Sequence, residues 1–172
     1  TILNSVRLKS CVVQRFPREL EAAGIPIILV GDTVGMVEME FDSTREVTVE
    51  HMVYHIGAVR RGAPYTHIIG DLPFESDKTP ELALANAKRL LAAGADSIKL
   101  EGPKTDIISY LVAEDIAVVG HTGLLPQTAN SFAKVGRNAE EALRIQKEAA
   151  AIQQAGAFML VIEHVPHDLA NS

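Results

Sequence analysis

Asp32, Asp71, Glu101, His121 and Glu163 each stand at the end of a short apolar run, and Lys99 lies two positions before Glu101. Residues two apart in a strand face the same side, so Lys99 and Glu101 share one face. If the runs assemble side by side, four carboxylates, a histidine and a lysine converge on one mouth. That many acids repel each other unless a cation neutralises them. A hard divalent ion such as Mg²⁺ meets that need, because it takes one or two carboxylates and completes its shell with substrate oxygens and water. No H-E-x-x-H or Cys/His spacing points to zinc. Each acid taken singly could equally cap the next helix; four in register favour a site. His51, His55, His67, His164 and His167 have no comparable placement and read as structural or solvent-facing, as do the helix-end pairs Arg60-Arg61 and Glu140-Glu141.

The elements that must position these residues repeat. Ala22-Ala23-Gly24 leads into Ile25 to Asp32, Ala92-Ala93-Gly94 into Ala95 to Glu101, and Ala155-Gly156 into Ala157 to Glu163. Each segment is a helix end, a glycine suited to the left-handed closing position, a buried strand and a carboxylate. Gly62 to Asp71 is a looser copy, and Ala117 to His121 is a strand ending in histidine. Between them stand helix starts: Thr79 before Pro80 and Glu81, Asn138 with Glu141, Thr48 before Val49, and Thr105 before Asp106. Counting Ser10 to Val13 as a weak first strand gives about six β-α units.

Alternation of buried strands and helices means a parallel α/β fold, either a (β/α)8 barrel or a doubly wound sheet. The barrel is favoured, since barrel sites are assembled from the C-terminal ends of several strands and no G-x-G-x-x-G is present. Residues 1–172 read as a single barrel domain lacking its last units and some top-face loops.

Composition narrows the classes. The 172 residues are 47% apolar and 22% charged, as in ordinary globular proteins. A net charge of −6, with no basic cluster longer than Arg60-Arg61, argues against a nucleic-acid partner. No apolar run approaches the ~18–20 residues of a membrane span, and the amino-terminal residues lack a signal-peptide pattern. A lone Cys11 builds no disulfide framework. A soluble, cytoplasmic protein is expected.

Six motifs occur in order: Gly31-Asp32-Thr33-Val34-Gly35-Met36; Tyr54-His55 with Ala58 to Pro64; Asp71-Leu72-Pro73-Phe74; Ser97-Ile98-Lys99-Leu100-Glu101-Gly102; Gly120-His121-Thr122-Gly123-Leu124-Leu125-Pro126-Gln127; and Glu163-His164-Val165-Pro166. Together they resemble the 3-methyl-2-oxobutanoate (ketopantoate) hydroxymethyltransferase family of pantothenate biosynthesis. The resemblance implies a (β/α)8 barrel of the phosphoenolpyruvate/pyruvate type that uses Mg²⁺. It implies transfer of a one-carbon unit from 5,10-methylenetetrahydrofolate to 2-oxoisovalerate, giving 2-dehydropantoate. Carried over by position, Asp32 and Asp71 match metal- and substrate-binding aspartates, and Glu101 a further acid at the metal. Thr33 stands where the family has a serine against the substrate carboxylate. Lys99 and His121 match other substrate-binding positions, and Glu163 the catalytic base. The family also implies a homo-oligomer, a decamer.

The chain departs from the family in shorter segments at Val13 to Pro17, Phe74 to Asp77 and Asn130 to Gly136, and it lacks the last two β-α units. Missing loops and a missing C-terminal part are therefore expected. Two rival readings stand beside this one. One is another Mg²⁺-dependent 2-oxo acid enzyme, of the phosphoenolpyruvate mutase/isocitrate lyase type, although Cys11 is misplaced for the loop cysteine of that group. The other is a catalytically silent paralogue.

Overall fold

A computed structural model describes residues 15–129 and 133–170. The strand expected at Ser10 to Val13, Cys11, and part of the Asn130 to Gly136 segment lie outside those residues. Five strands form one sheet: β1 (Ile27–Val30), β2 (His67–Asp71), β3 (Ser97–Lys99), β4 (Val118–Gly123) and β5 (Met159–Glu163). All neighbours are parallel and follow chain order without reversal. A doubly wound sheet would reverse its order at a switch point. The unreversed order is that of a barrel wall, here about half a barrel.

The helices are α1 (Arg15–Ala22), α2 (Val34–Glu38), α3 (Val49–Gly62), α4 (Pro80–Ala93), α5 (Thr105–Ala113), α6 (Ala139–Gln154) and α7 (His167–Ala170), with a 3₁₀ turn at Thr44–Glu46. Local chemistry explains their ends. The Thr79 hydroxyl accepts from Leu82 N at 3.2 Å, and Pro80 opens α4, where its missing N–H costs nothing. Gly94 closes α4 at φ +119°, and Gly24 and Gly156 occupy the same left-handed region after α1 and α6, as the repeat predicts.

Some ends differ from expectation. Thr48 caps α3 with His51, not an acid, completing the capping box. The Asn138 side chain caps α6, but the Glu141 carboxylate reaches back past it to the N–H groups of Gly136 and Arg137. α5 starts at Thr105 itself, with Lys104 in the cap position and no side-chain bond. Arg60 is no free helix end: it donates to the carbonyls of Ala63, Pro64, Thr66 and Gly94 and pairs with Asp96. It thereby binds the end of α3 to the turn that precedes β3.

Two apolar layers hold the sheet. The larger lies between strands and helices, where Ile28, Ile68, Ile98 and Val118 pack on Met52, Ile56, Leu90, Ile108, Leu111 and Ile152. The smaller lines the inner face: Ile27, Ile69 and Val119, with Leu29, Met159 and Val161 against them. Strand alternation continues that inner row upward into Asp71, Lys99, His121 and Glu163. No helix of the described residues is long and apolar enough to cross a membrane.

Candidate active site

The parallel register sets the polar residues opposite one another. Asp71 pairs with Lys99 across β2 and β3, and Glu163 with Gly123 across β4 and β5. Their side chains meet in a cavity of about 420 Å³ lined by Asp32, Thr33, Asp71, Lys99, Glu101, His121 and Glu163. Every site residue predicted from the sequence therefore reaches one cavity. Lys99 Nζ donates to Asp71 Oδ1 at 2.8 Å, and Asp32 N donates to Asp71 Oδ2 at 3.3 Å. Thr33 begins α2 without using its hydroxyl as a cap, so the hydroxyl remains available to a ligand.

Burial and crowding set the charges. Burial, then the neighbouring Asp71 carboxylate, pushes Asp32 up to about 7 against the pull of Lys99 and Gln127. Burial pushes Glu101 up to about 8. For Lys99, 4% exposed, burial alone favours the neutral amine; Asp71 and Asp32 outweigh it and hold the ammonium above its ordinary value. Burial lowers His121, only partly offset by Glu163, so the imidazole is neutral at pH 7. Burial raises Glu163, but His121 and Lys99 outweigh it and leave it an ionised carboxylate, 40% exposed.

His121 stands between two acids, Nδ1 3.7 Å from Glu101 Oε2 and Nε2 3.3 Å from Glu163 Oε2. Neither ring nitrogen makes a well-formed hydrogen bond, although the ring is buried. Such orphaned polar atoms are costly and point to a missing partner in the cavity. Gly123 makes the close approach of β5 possible. At φ +96°, a Cβ there would sit 2.3 Å from the Glu163 carbonyl oxygen, so any side chain would push the strand that carries Glu163 away from β4.

Among the described residues, no three His, Cys, Asp or Glu side chains stand together as a ready metal cage. The donor set nevertheless fits Mg²⁺. Asp32 and Asp71 give two hard carboxylates in one cavity, their repulsion is what a cation relieves, and Mg²⁺ takes its other ligands from substrate and water. Glu101 accepts from Gln127 N at 2.9 Å through Oε1, which leaves Oε2 for the ion.

Two residues at the site escape the sequence reading. His164 follows Glu163 in a left-handed conformation, φ 53°, and borders the cavity. Gln127 is buried and donates from Nε2 to Asp32 Oδ2 at 2.8 Å and to the Leu72 carbonyl at 3.0 Å. It lies inside a quoted motif; the available signal was a polar amide just beyond a strand that ends in histidine. The Phe74 to Asp77 segment is also more firmly held than a mobile loop, since Asp77 is buried and takes both its oxygens to Lys104 Nζ at 2.7 Å.

A half-barrel that gathers paired aspartates, a buried lysine and a carboxylate at one end of its parallel strands has the fold of a TIM-barrel protein. Solved structures of that fold superpose on it: 2,3-dimethylmalate lyase with a TM-score of 0.69 at 17% identity, covering 95% of this chain and 58% of that one. A phosphonopyruvate hydrolase complexed with oxalate and Mg²⁺ does so with 0.69 at 15%, covering 89% and 56%. The chain belongs to the ketopantoate hydroxymethyltransferase family, whose model matches residues 10–172. It is 47% identical over 159 residues to the 3-methyl-2-oxobutanoate hydroxymethyltransferase of Thermus thermophilus, covering 89% of this chain and 61% of that protein. It is 48% identical over 152 residues to that of Yersinia pestis, covering 86% and 57%. The chain thus spans about six-tenths of the length of the curated relatives it matches. These relatives favour the transferase over the lyase-type reading, which rests on fold alone.

Proposed function

We propose that this chain carries the ketoacid-binding and proton-abstracting part of a 3-methyl-2-oxobutanoate hydroxymethyltransferase. The observation that supports it best is the single cavity in which a cationic Lys99 and paired Asp32 and Asp71 face an ionised Glu163. A 2-oxo acid needs that combination: a cation for its carboxylate, an anion pair for a metal, and a base for the hydrogen beside its ketone.

Lys99 and the Thr33 hydroxyl orient the carboxylate of 2-oxoisovalerate, and His121 supplies a neutral donor to the same ligand. Mg²⁺ held by Asp32 and Asp71, with Glu101 beside it, supplies when bound the positive charge that stabilises negative charge growing on the keto oxygen. Glu163 takes the proton from C3 as general base. C3 then bonds to the methylene carbon of 5,10-methylenetetrahydrofolate. Release of the tetrahydrofolate nitrogen and addition of one water give 2-dehydropantoate and tetrahydrofolate. The one-carbon donor, a cytoplasmic location and a homodecameric assembly rest on family membership.

Deuterium exchange at C3 of 2-oxoisovalerate, followed by NMR with full-length protein and no folate, isolates the first step. Exchange that requires Mg²⁺ and falls about 10²- to 10⁴-fold in Glu163→Gln is expected. Absence of exchange with any divalent metal overturns the assigned base and metal roles and leaves the silent-paralogue reading in front.

A further inference from the structure

Gln127 lies four residues past β4, and one buried residue there ties together the ends of four separate segments. Its side-chain nitrogen spends one hydrogen on Asp32 Oδ2 (2.8 Å) after β1 and the other on the Leu72 carbonyl (3.0 Å) after β2. Its backbone N–H goes to Glu101 Oε1 (2.9 Å) after β3. Its own carbonyl accepts from Arg45 Nε (2.8 Å) on the 3₁₀ turn Thr44–Glu46. Arg45 is anchored in turn over the Phe74 ring, 5.5 Å from the centroid, on the segment after β2.

The amide cannot turn over. A flipped side chain would set its carbonyl oxygen against both a carboxylate and a peptide carbonyl, so the donors are locked toward Asp32 and Leu72. Two of its three acceptors are acids of the candidate site. Each of those bonds is made to a carboxylate oxygen and strengthens when that carboxylate is ionised. Holding Asp32 by Oδ2 also fixes which way its other oxygen points. An ordinary loop anchor needs only the Leu72 bond; the bonds to Asp32 and Glu101 act on the groups that would meet a cation.

We propose that Gln127, braced from outside by Arg45, is a positioning residue that fixes the carboxylates of Asp32 and Glu101 and thereby sets the affinity of the site for a divalent cation. The proposal rests on the reading of Asp32 and Asp71 as cation-binding acids. Outer partners of metal-binding carboxylates typically change metal affinity or activity by about 10- to 100-fold when removed.

The test is Mn²⁺ binding by full-length protein, titrated by electron paramagnetic resonance without substrate, for wild type, Gln127→Met and Arg45→Met. Gln127→Met keeps the length and burial of the side chain and removes both donors. The expected result is Mn²⁺ binding weakened about 10- to 100-fold in Gln127→Met and weakened less, in the same sense, in Arg45→Met. The Mg²⁺ concentration needed for half-maximal C3 exchange should rise in parallel, and saturating Mg²⁺ should restore the exchange rate, because Glu163 is untouched. A folding defect would not be rescued that way. Unchanged Mn²⁺ affinity in a folded Gln127→Met overturns the proposal while leaving the cation site intact. If Gln127→Met does not fold, unchanged affinity in Arg45→Met overturns it. Failure of wild type to bind Mn²⁺ overturns both the cation site and the role given to Gln127.

Discussion

β4 and β5 are paired from Val119–Met159 to Gly123–Glu163, yet they live in different surroundings. Every residue of β4 is buried, and every residue of β5 is half-exposed. β4 has a strand on each side and α5 and α6 against it. β5 is paired only on its β4 side among the described residues. The groups that depend on a dry environment, Asp32, Asp71, Lys99 and His121, lie in the sealed part, where low polarisability strengthens every charge interaction. Glu163 lies at the end of β5, the strand with a single described neighbour. Among the described residues, the buried charges and the exposed carboxylate thus stand on different strands of one sheet.

The largest effect on stability should come from cutting the sealed ion pair. Lys99→Met leaves Asp71 buried without its cation, which costs about 3–5 kcal/mol, and adding Asp71→Asn should recover part of that. Urea denaturation measures both; a cost below about 1 kcal/mol would show that the sealed region is wet.

Next in size is the pH dependence of the metal-free protein. Asp32, raised from 3.8 to about 7, and Glu101, raised from 4.5 to about 8, bind protons more tightly folded than unfolded. Stability should therefore fall as pH rises through the window from about 4 to about 8, and Mg²⁺ should flatten the decline. Melting temperatures at pH 5 and pH 8, with and without Mg²⁺, check the sign.

Gly120→Ala probes the packed outer side of β4. Its Cβ would lie 2.1 Å from Ile152 Cγ2 and 3.3 Å from Leu160 Cδ1, an overpacking that costs about 1–3 kcal/mol. On β5, Glu163→Gln should leave the unfolding free energy in urea within about 0.5 kcal/mol of wild type while abolishing most C3 exchange. The smallest effect is expected at Arg89→Ala, which removes an exposed pair with Glu50 and should cost no more than about 0.5 kcal/mol. A larger loss at Glu163 than at Gly120 would break the division between the two strands.

Much of this was legible in the sequence because it is local. A glycine after a helix, an apolar run and a carboxylate are read within ten residues, and they placed Asp32, Glu101 and Glu163 at strand ends. Thr79 and Asn138 were legible as caps for the same reason. Gln127 was not, since its partners stand 26 to 95 residues away. Nor was Arg60, which reads as a solvated helix end until Gly94 and Asp96 are brought beside it.

By itself, then, the sequence determined the order of strands and helices, the acids and base available to the site, and the motifs of the family. Side-chain period and backbone capping act over a few residues and are written there directly. Only the tertiary structure decided the charge carried by each group, the seating of Lys99 on Asp71, the close approach of β5 at Gly123, and the amide clamp on Asp32. Each of these depends on burial and on distances between segments remote in sequence, and both exist only once the sheet has closed around them.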